Sequence, residues 1–278
     1  MNHRVRIAAS LPVLVLAALA ATPSAAQEEE DGAPPEARAI AREAAAHVAG
    51  LPAFAFSWFV SHDEVLDGRE KLTFLRSGQT LMVRGEGFVS RTELEADRRD
   101  FYFDGTAFTV SAPEEDFYAT AAFEGSFEAL VEAAEARTGT VLPLWTLMSS
   151  DLPDRIAPED GEVSSAYVGL TRIAGTPAHH IAFASEQEDW QLWISADTAN
   201  PLPLMIVGTR RDEQGWPQYR AYLTDWDLDP EVEPGTFTFV PDENDRPAAM
   251  PRLVEDGSGE TPAADGTADV SDDGEEPQ

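Results

Sequence analysis

The sequence predicts an α+β protein. One curved antiparallel β-sheet, an open half-barrel of about eleven strands, carries a few helices on its concave face. Three observations lead there. Runs such as Trp190-Gln-Leu-Trp-Ile194, Pro201-Leu-Pro203-Leu-Met-Ile-Val207 and Phe237-Thr-Phe239-Val-Pro241 alternate or cluster apolar residues at strand spacing. Turn residues separate the runs along most of the chain. A helical stretch near residues 126–150 interrupts them once, and strands then resume.

The elements follow in order. Pro35 to Val48 reads as a helix, with Pro near its start, Gly50 and Pro52 at its end, and Ala39, Ile40, Ala44 and Val48 as a stripe. Ala53 to His62 is a strand whose one face holds Phe54, Phe56, Trp58 and Val60, while Phe59 interrupts the polar side. Glu70–Arg76, Thr80–Arg84 and Gly87–Glu95 follow as strands, with Ser77-Gly78 read as a tight turn. Asp104-Gly105 joins Arg99–Phe103 to Thr106–Ala112 as a hairpin, and Phe117–Ala121 continues the sheet. Ser126 caps a helix to Arg137, and Pro143 leads a second short one within Leu142–Ser150. Strands return at Ser165–Ile173, Ala178–Ala184, Trp190–Ser195, Pro203–Arg210, Gln218–Trp226 and Thr236–Val240.

The ends and the composition bound the function. Arg4 and Arg6, the apolar run Ile7–Ala21 and Ser24-Ala-Ala26 form an export signal, so residues 1–26 are expected to be cleaved and the product to be periplasmic. Residues 27–34 are a flexible acidic segment, 35–247 the folded domain and 248–278 a disordered acidic tail. The 278 residues carry 19 Lys+Arg against 51 Asp+Glu, a net charge of -32, which disfavours nucleic acid and anionic membrane surfaces as partners. There is no cysteine, which excludes disulfides, thiolate metal sites and a cysteine nucleophile.

Catalytic signatures are missing: there is no Gly-x-Ser-x-Gly and no His-Glu-x-x-His. Gly85-Glu86-Gly87 reads as a hairpin or bulge. His179 and His180 are strand neighbours, so they point to opposite faces and serve one metal poorly. His62-Asp63-Glu64 reads as a solvated turn in preference to a metal or acid–base group. Asp63, Glu64, Asp225 and Asp227 are strand-end carboxylates whose pairing as a glycosidase acid and nucleophile depends on their separation. The aromatic residues on strands are the better candidates. Phe56, Trp58, Phe74, Phe103, His180, Trp193 and Tyr222 are the expected lining of an apolar cavity, with Trp58 and Trp193 both on the concave side.

Asp104-Gly105, Phe117-Tyr-Ala119, Leu142-Pro-Leu144, Gly169, Ile173-Ala-Gly175, His179-His-Ile-Ala-Phe183, Trp190–Ile194 with Pro201-Leu-Pro203, Pro217-Gln-Tyr219 and Phe237-Thr-Phe239 recur in order from Pro35 to Pro247. By these the chain resembles a family of predicted bacterial periplasmic proteins. More distantly it is similar to the Lol lipoprotein-carrier fold (LolA/LolB-like). It departs where Val240-Pro-Asp-Glu243 replaces a Pro-Gly-type turn, and where Val83-Arg84-Gly85 replaces an Arg-Arg-Pro element. The resemblance implies a non-enzymatic binding protein or carrier for an apolar ligand, lipid, acyl chain or lipoprotein. An envelope-stress sensor that binds a protein partner on the same fold is the alternative, and a hydrolase a third reading. No cofactor and no metal are expected.

Overall fold

The computed structural model describes residues 37–94, 97–138, 143–158 and 163–249. The expected signal segment 1–26, the acidic segment 27–34 and nearly all of the tail lie outside the described residues.

Two meanders build the sheet. The first runs through β1 (Ala53–Leu66), β2 (Glu70–Val83), β3 (Gly87–Glu93), β4 (Arg98–Phe103), β5 (Ala107–Ala112) and β6 (Phe117–Ala122). The second runs through β7 (Ser164–Ile173), β8 (Thr176–Ala184), β9 (Glu188–Ser195), β10 (Pro203–Arg210) and β11 (Gln218–Asp227). They join where β11 pairs with β1. A two-residue strand, β12 (Arg246–Pro247), lies parallel to β6, and the other pairings are antiparallel. The order β12-β6-β5-β4-β3-β2-β1-β11-β10-β9-β8-β7 gives one large curved sheet that does not close.

This topology explains the helical interruption. β6 and β7 lie ten strand steps apart in that order, roughly 48 Å along the sheet. The chain covers the distance through α2 (Phe127–Thr138), α3 (Pro143–Met148) and α4 (Leu152–Ile156). α1 (Ala37–Gly50) precedes the sheet and packs on the same face. Its buried residues are Ala37, Ala41, Ala44, Ala45 and Val48. The small alanines let the helix lie close over β7, β8 and β9, against Ile181, Phe183, Leu192 and Ile194. α2 and α3 cover the other half, where Leu130, Val131, Leu147 and Met148 meet Phe54, Phe56, Phe88 and Phe103. The Ser126 hydroxyl caps α2 by accepting from Ala129 N–H at 3.2 Å, as its position predicts. Both apolar clusters therefore lie on one side of the sheet, here called the helix face. The opposite side is the open face.

Arg84 ties three chain segments together at the end of β2. Its guanidinium donates to the carbonyls of Leu51 (2.9 Å), Met148 (2.9 Å) and Val48 (3.1 Å). Two of those carbonyls end helices, where unpaired C=O groups favour a cation.

The structure corrects several expectations. Ser77-Gly78 is not a turn, because β2 runs unbroken from Glu70 to Val83. Glycine stands there because the Trp58 indole lies flat over it. A Cβ at Gly78 would sit 2.5 Å from Trp58 Cζ2 and 2.2 Å from the Arg91 carbonyl oxygen. The indole N–H donates to Thr80 Oγ1 at 3.1 Å, and that hydroxyl meets Ser90 Oγ at 2.9 Å, so the polar atoms beneath the ring are satisfied. Residues 236–240 form the end of a turn followed by irregular backbone, not a strand. They pass over the open face of a sheet that is already paired. The sheet thus has twelve strands, counting the short β12. α4 was not expected; Pro153 supplies its first turn.

Candidate functional site

The strand register decides which of the seven aromatic candidates can meet. Side chains alternate between faces along each strand. Phe56 and Trp58 share the helix face with Phe54 and Val60, and Phe103 joins them through Phe88 and Met82. All three are core residues, 2–6% exposed. Phe56 stacks on Trp226 at 4.7 Å between ring centroids. Phe74 has the same parity but lies toward the β1–β2 turn, where it stacks on His62 at 5.5 Å.

Side chains fill this face. Trp145 from α3 packs against Phe88, Phe101 and Phe108 with ring centroids 5.4–5.9 Å apart. A cavity of about 250 Å³ lies at its margin, lined by Arg84, Phe103, Phe127, Glu128 and Ser150 among others. That is below the usual ligand-pocket range of roughly 300–1,000 Å³. Glu128 accepts from Ser150 N–H at 3.0 Å. Burial opposes its ionisation, but the hydrogen bonds from Ser150 outweigh it and hold the carboxyl at about 2.

His180, Trp193 and Tyr222 lie on the open face instead. The register aligns them in one row across five strands: His180 (β8) opposite Trp193 (β9), then Met205 (β10), Tyr222 (β11) and Phe59 (β1). Four strand spacings make the row roughly 19 Å long. His180 lies flat on Trp193 at 4.2 Å and 12°, with its Nε2 2.9 Å from Gln191 Oε1. Phe59 is 43% exposed and Tyr222 38%. Trp58 and Trp193, expected on one side, thus lie on opposite sides, because a single change of parity reverses the face. Phe59 was visible in the sequence as an interruption of a polar face. Met205 gave no signal alone; only its register with Trp193 and Tyr222 places it in the row.

The row flanking this one holds Ala182, Gln191, Val207, Arg220 and Ser61. Arg220 donates to Gln218 Oε1 and has no ion pair among the described residues. One step further out, Asp189 pairs with Arg211 at 3.0 Å. Asp63 accepts from Thr73 Oγ1 (2.8 Å) and Gln218 N–H (3.1 Å) and lies 3.5 Å from Lys71 Nζ. Burial opposes the ionisation of Asp63, but these partners together lower its pKa.

Over β4 to β6 the open face is covered. Residues 236–241 cross β4 and β6. Phe239 sits between Tyr102 (5.5 Å) and Tyr118 (5.1 Å), and Thr238 donates to Asp104 Oδ2 at 3.2 Å. Arg246 lies 4.2 Å over the Phe117 ring, and its N–H donates to Asp116 O at 2.9 Å. A cavity of about 180 Å³ remains beneath this strap.

The polar candidates do not converge. His179 faces the helix side, 3.0 Å from the Tyr167 hydroxyl, and His180 faces the open side. His62 Nε2 lies 3.5 Å from Glu64 Oε1 on the projecting β1–β2 hairpin. Among the described residues no group of three or more His, Asp or Glu is placed to hold a metal ion. No helix among them is long and apolar enough to cross a membrane.

The family model of predicted periplasmic proteins designated DUF2092 matches residues 37–250, and the chain belongs to that family. No curated protein matches it. Among solved structures it is similar to an uncharacterised conserved protein from Thermus thermophilus, with 10% identity over 77% of this chain and 99% of that one, at a TM-score of 0.41. It is also similar to the LolA superfamily protein NE2245 from Nitrosomonas europaea, with 11% identity over 73% and 97%, at 0.33. The Pseudomonas aeruginosa MucA/MucB complex matches at 13% identity over 69% and 56%, at 0.30.

Proposed function

We propose that this protein is a non-enzymatic binding protein of the periplasm that takes an apolar ligand on the open face of its sheet. The observation that supports this is the row His180–Trp193–Met205–Tyr222–Phe59. An apolar stripe across five strands is exposed at Phe59 and Tyr222 and half-buried at Met205, Trp193 and His180, while the other face of the same strands is packed under helices. Contiguous exposed apolar surface marks interaction sites more often than chance. Flat aromatic rings offer large contact area at little conformational cost. Burial of ligand methylenes supplies the driving force, about 0.8 kcal/mol for each one. Export through residues 1–26, cleaved after Ala26, belongs to the same reading, and the intact mass of the secreted protein tests it.

The ligand test uses tryptophan emission. Wild type is titrated with the neutral amphiphile tetradecyl maltoside below its micelle concentration, with Trp193→Phe measured in parallel. A blue shift that is lost in Trp193→Phe supports the proposal. Unchanged emission, with no heat of binding for any neutral or charged amphiphile tried, overturns it.

A further inference from the structure

We infer that the open face selects a single-chain amphiphile with one negative charge, a long-chain carboxylate, and that Arg220 holds its head group. This rests on the apolar-ligand reading above and names its ligand class.

Charge sets this face apart from the rest of the chain. Acidic residues outnumber basic ones 51 to 19 overall, yet the centre of the open face reverses the balance. The central row is His180, Trp193, Met205, Tyr222 and Phe59. On one side lie Ala178, Ser195, Thr224 and Ser57; on the other lie Ala182, Gln191, Val207, Arg220 and Ser61. Histidine apart, Arg220 is the one ionic side chain in these three rows. On the Arg220 side the nearest acids are already engaged, Asp189 with Arg211 and Asp63 with Thr73, Gln218 and Lys71, while Asp225 and Asp227 lie beyond the opposite flank at Thr224. Arg220 itself has only the neutral Gln218 oxygen as a side-chain partner among the described residues.

Geometry then fixes the pose. Arg220 lies two residues from Tyr222 on the same face of β11, and opposite Val207 and Ser61. A carboxylate on the guanidinium fork leaves its chain at Tyr222. From there Met205 and Trp193 continue the apolar row, roughly 10 Å in two strand steps. A single unopposed guanidinium matches a single charge. A second negative charge would find no cation beside it and would meet the field of an acidic protein.

The test is calorimetric titration of the full chain with tetradecanoate and with tetradecyl maltoside. Wild type, Arg220→Gln and Arg220→Lys are compared, and thermal unfolding checks that each variant folds. Arg220→Gln should weaken tetradecanoate by about tenfold or more, since a charge-assisted hydrogen bond is lost. Maltoside binding should be unchanged, Arg220→Lys should recover part of the loss, and added salt should weaken tetradecanoate alone. Equal loss for both ligands, or none for either, overturns the inference while the apolar-ligand reading stands. Failure of both ligands to bind wild type overturns both.

Discussion

Replacing Gly78 with alanine tests whether the fold depends on the close approach of Trp58 to β2. The backbone torsion is not the obstacle, since Gly78 is absent from the positive-φ glycines. The obstacle is space: the new methyl would lie 2.2 Å from the Arg91 carbonyl oxygen on β3 and 2.5 Å from the Trp58 ring. One blocking atom is backbone and the other belongs to a ring that is 6% exposed and hydrogen-bonded through its N–H. Neither moves aside cheaply. Overpacking a tight site costs about 1–3 kcal/mol, and a backbone obstacle places this variant at the upper end. About 3 kcal/mol lowers the melting temperature of a domain this size by roughly 6–12 °C. Differential scanning calorimetry measures it, with Gly50→Ala as control, because a Cβ at Gly50 meets nothing within 4 Å. Gly78→Ala melting within two degrees of the control would refute the packing argument.

Arg84→Met should cost about 3 kcal/mol or more in urea denaturation, because the carbonyls of Val48, Leu51 and Met148 lose a charged donor together; a loss below about 1 kcal/mol would show water replacing it. Glu128 has a folded pKa of about 2, below its ordinary 4.5. Its contribution is therefore complete above pH 4.5 and disappears as the pH falls towards 2. After discounting for solvent screening it is about 1 kcal/mol. Glu128→Gln should flatten that part of the stability–pH curve, and an unchanged slope would remove Glu128 as its source. Phe59→Thr should leave the melting temperature nearly unchanged, since the ring is 43% exposed. It should weaken amphiphile binding; a large drop in melting temperature would instead make Phe59 a structural residue.

Much of the fold was legible because local chemistry and global topology agree. The Asp104-Gly105 hairpin, the Ser126 cap and the second meander from Ser164 to Asp227 follow from turn residues and period-two alternation. The misread elements have a common physical origin. Ser77-Gly78 carries turn chemistry, but its glycine serves a contact with a residue twenty positions earlier, which no local pattern records. Phe237-Thr-Phe239 has strand alternation without a free strand to pair with. Phe237 is buried and Phe239 packs on two tyrosines, so the alternation reports which side chains touch the sheet.

The candidate site was legible in composition and not in arrangement. Aromatic residues on strands identify themselves, but their face depends on parity carried through every pairing between them. From Trp58 to Trp193 that chain passes through β11 and β10, where Phe59, the neighbour of Trp58, aligns with Tyr222, Met205 and Trp193. Side chains alternate along every strand, so without that register the sequence does not say which parity of one strand shares a face with which parity of another. The sequence did hold one usable contradiction: Phe59 is apolar on a strand side otherwise occupied by Ala55, Ser57, Ser61 and Asp63. An apolar residue out of phase on a half-buried strand points to contact on its second face. With the register known, the row from Phe59 to His180 lies on that same face. The same parity puts Arg220 beside the row. A binding face of this kind is thus assembled by long-range pairing from residues that are individually ordinary, and only in that register does one arginine stand unopposed beside an aromatic stripe.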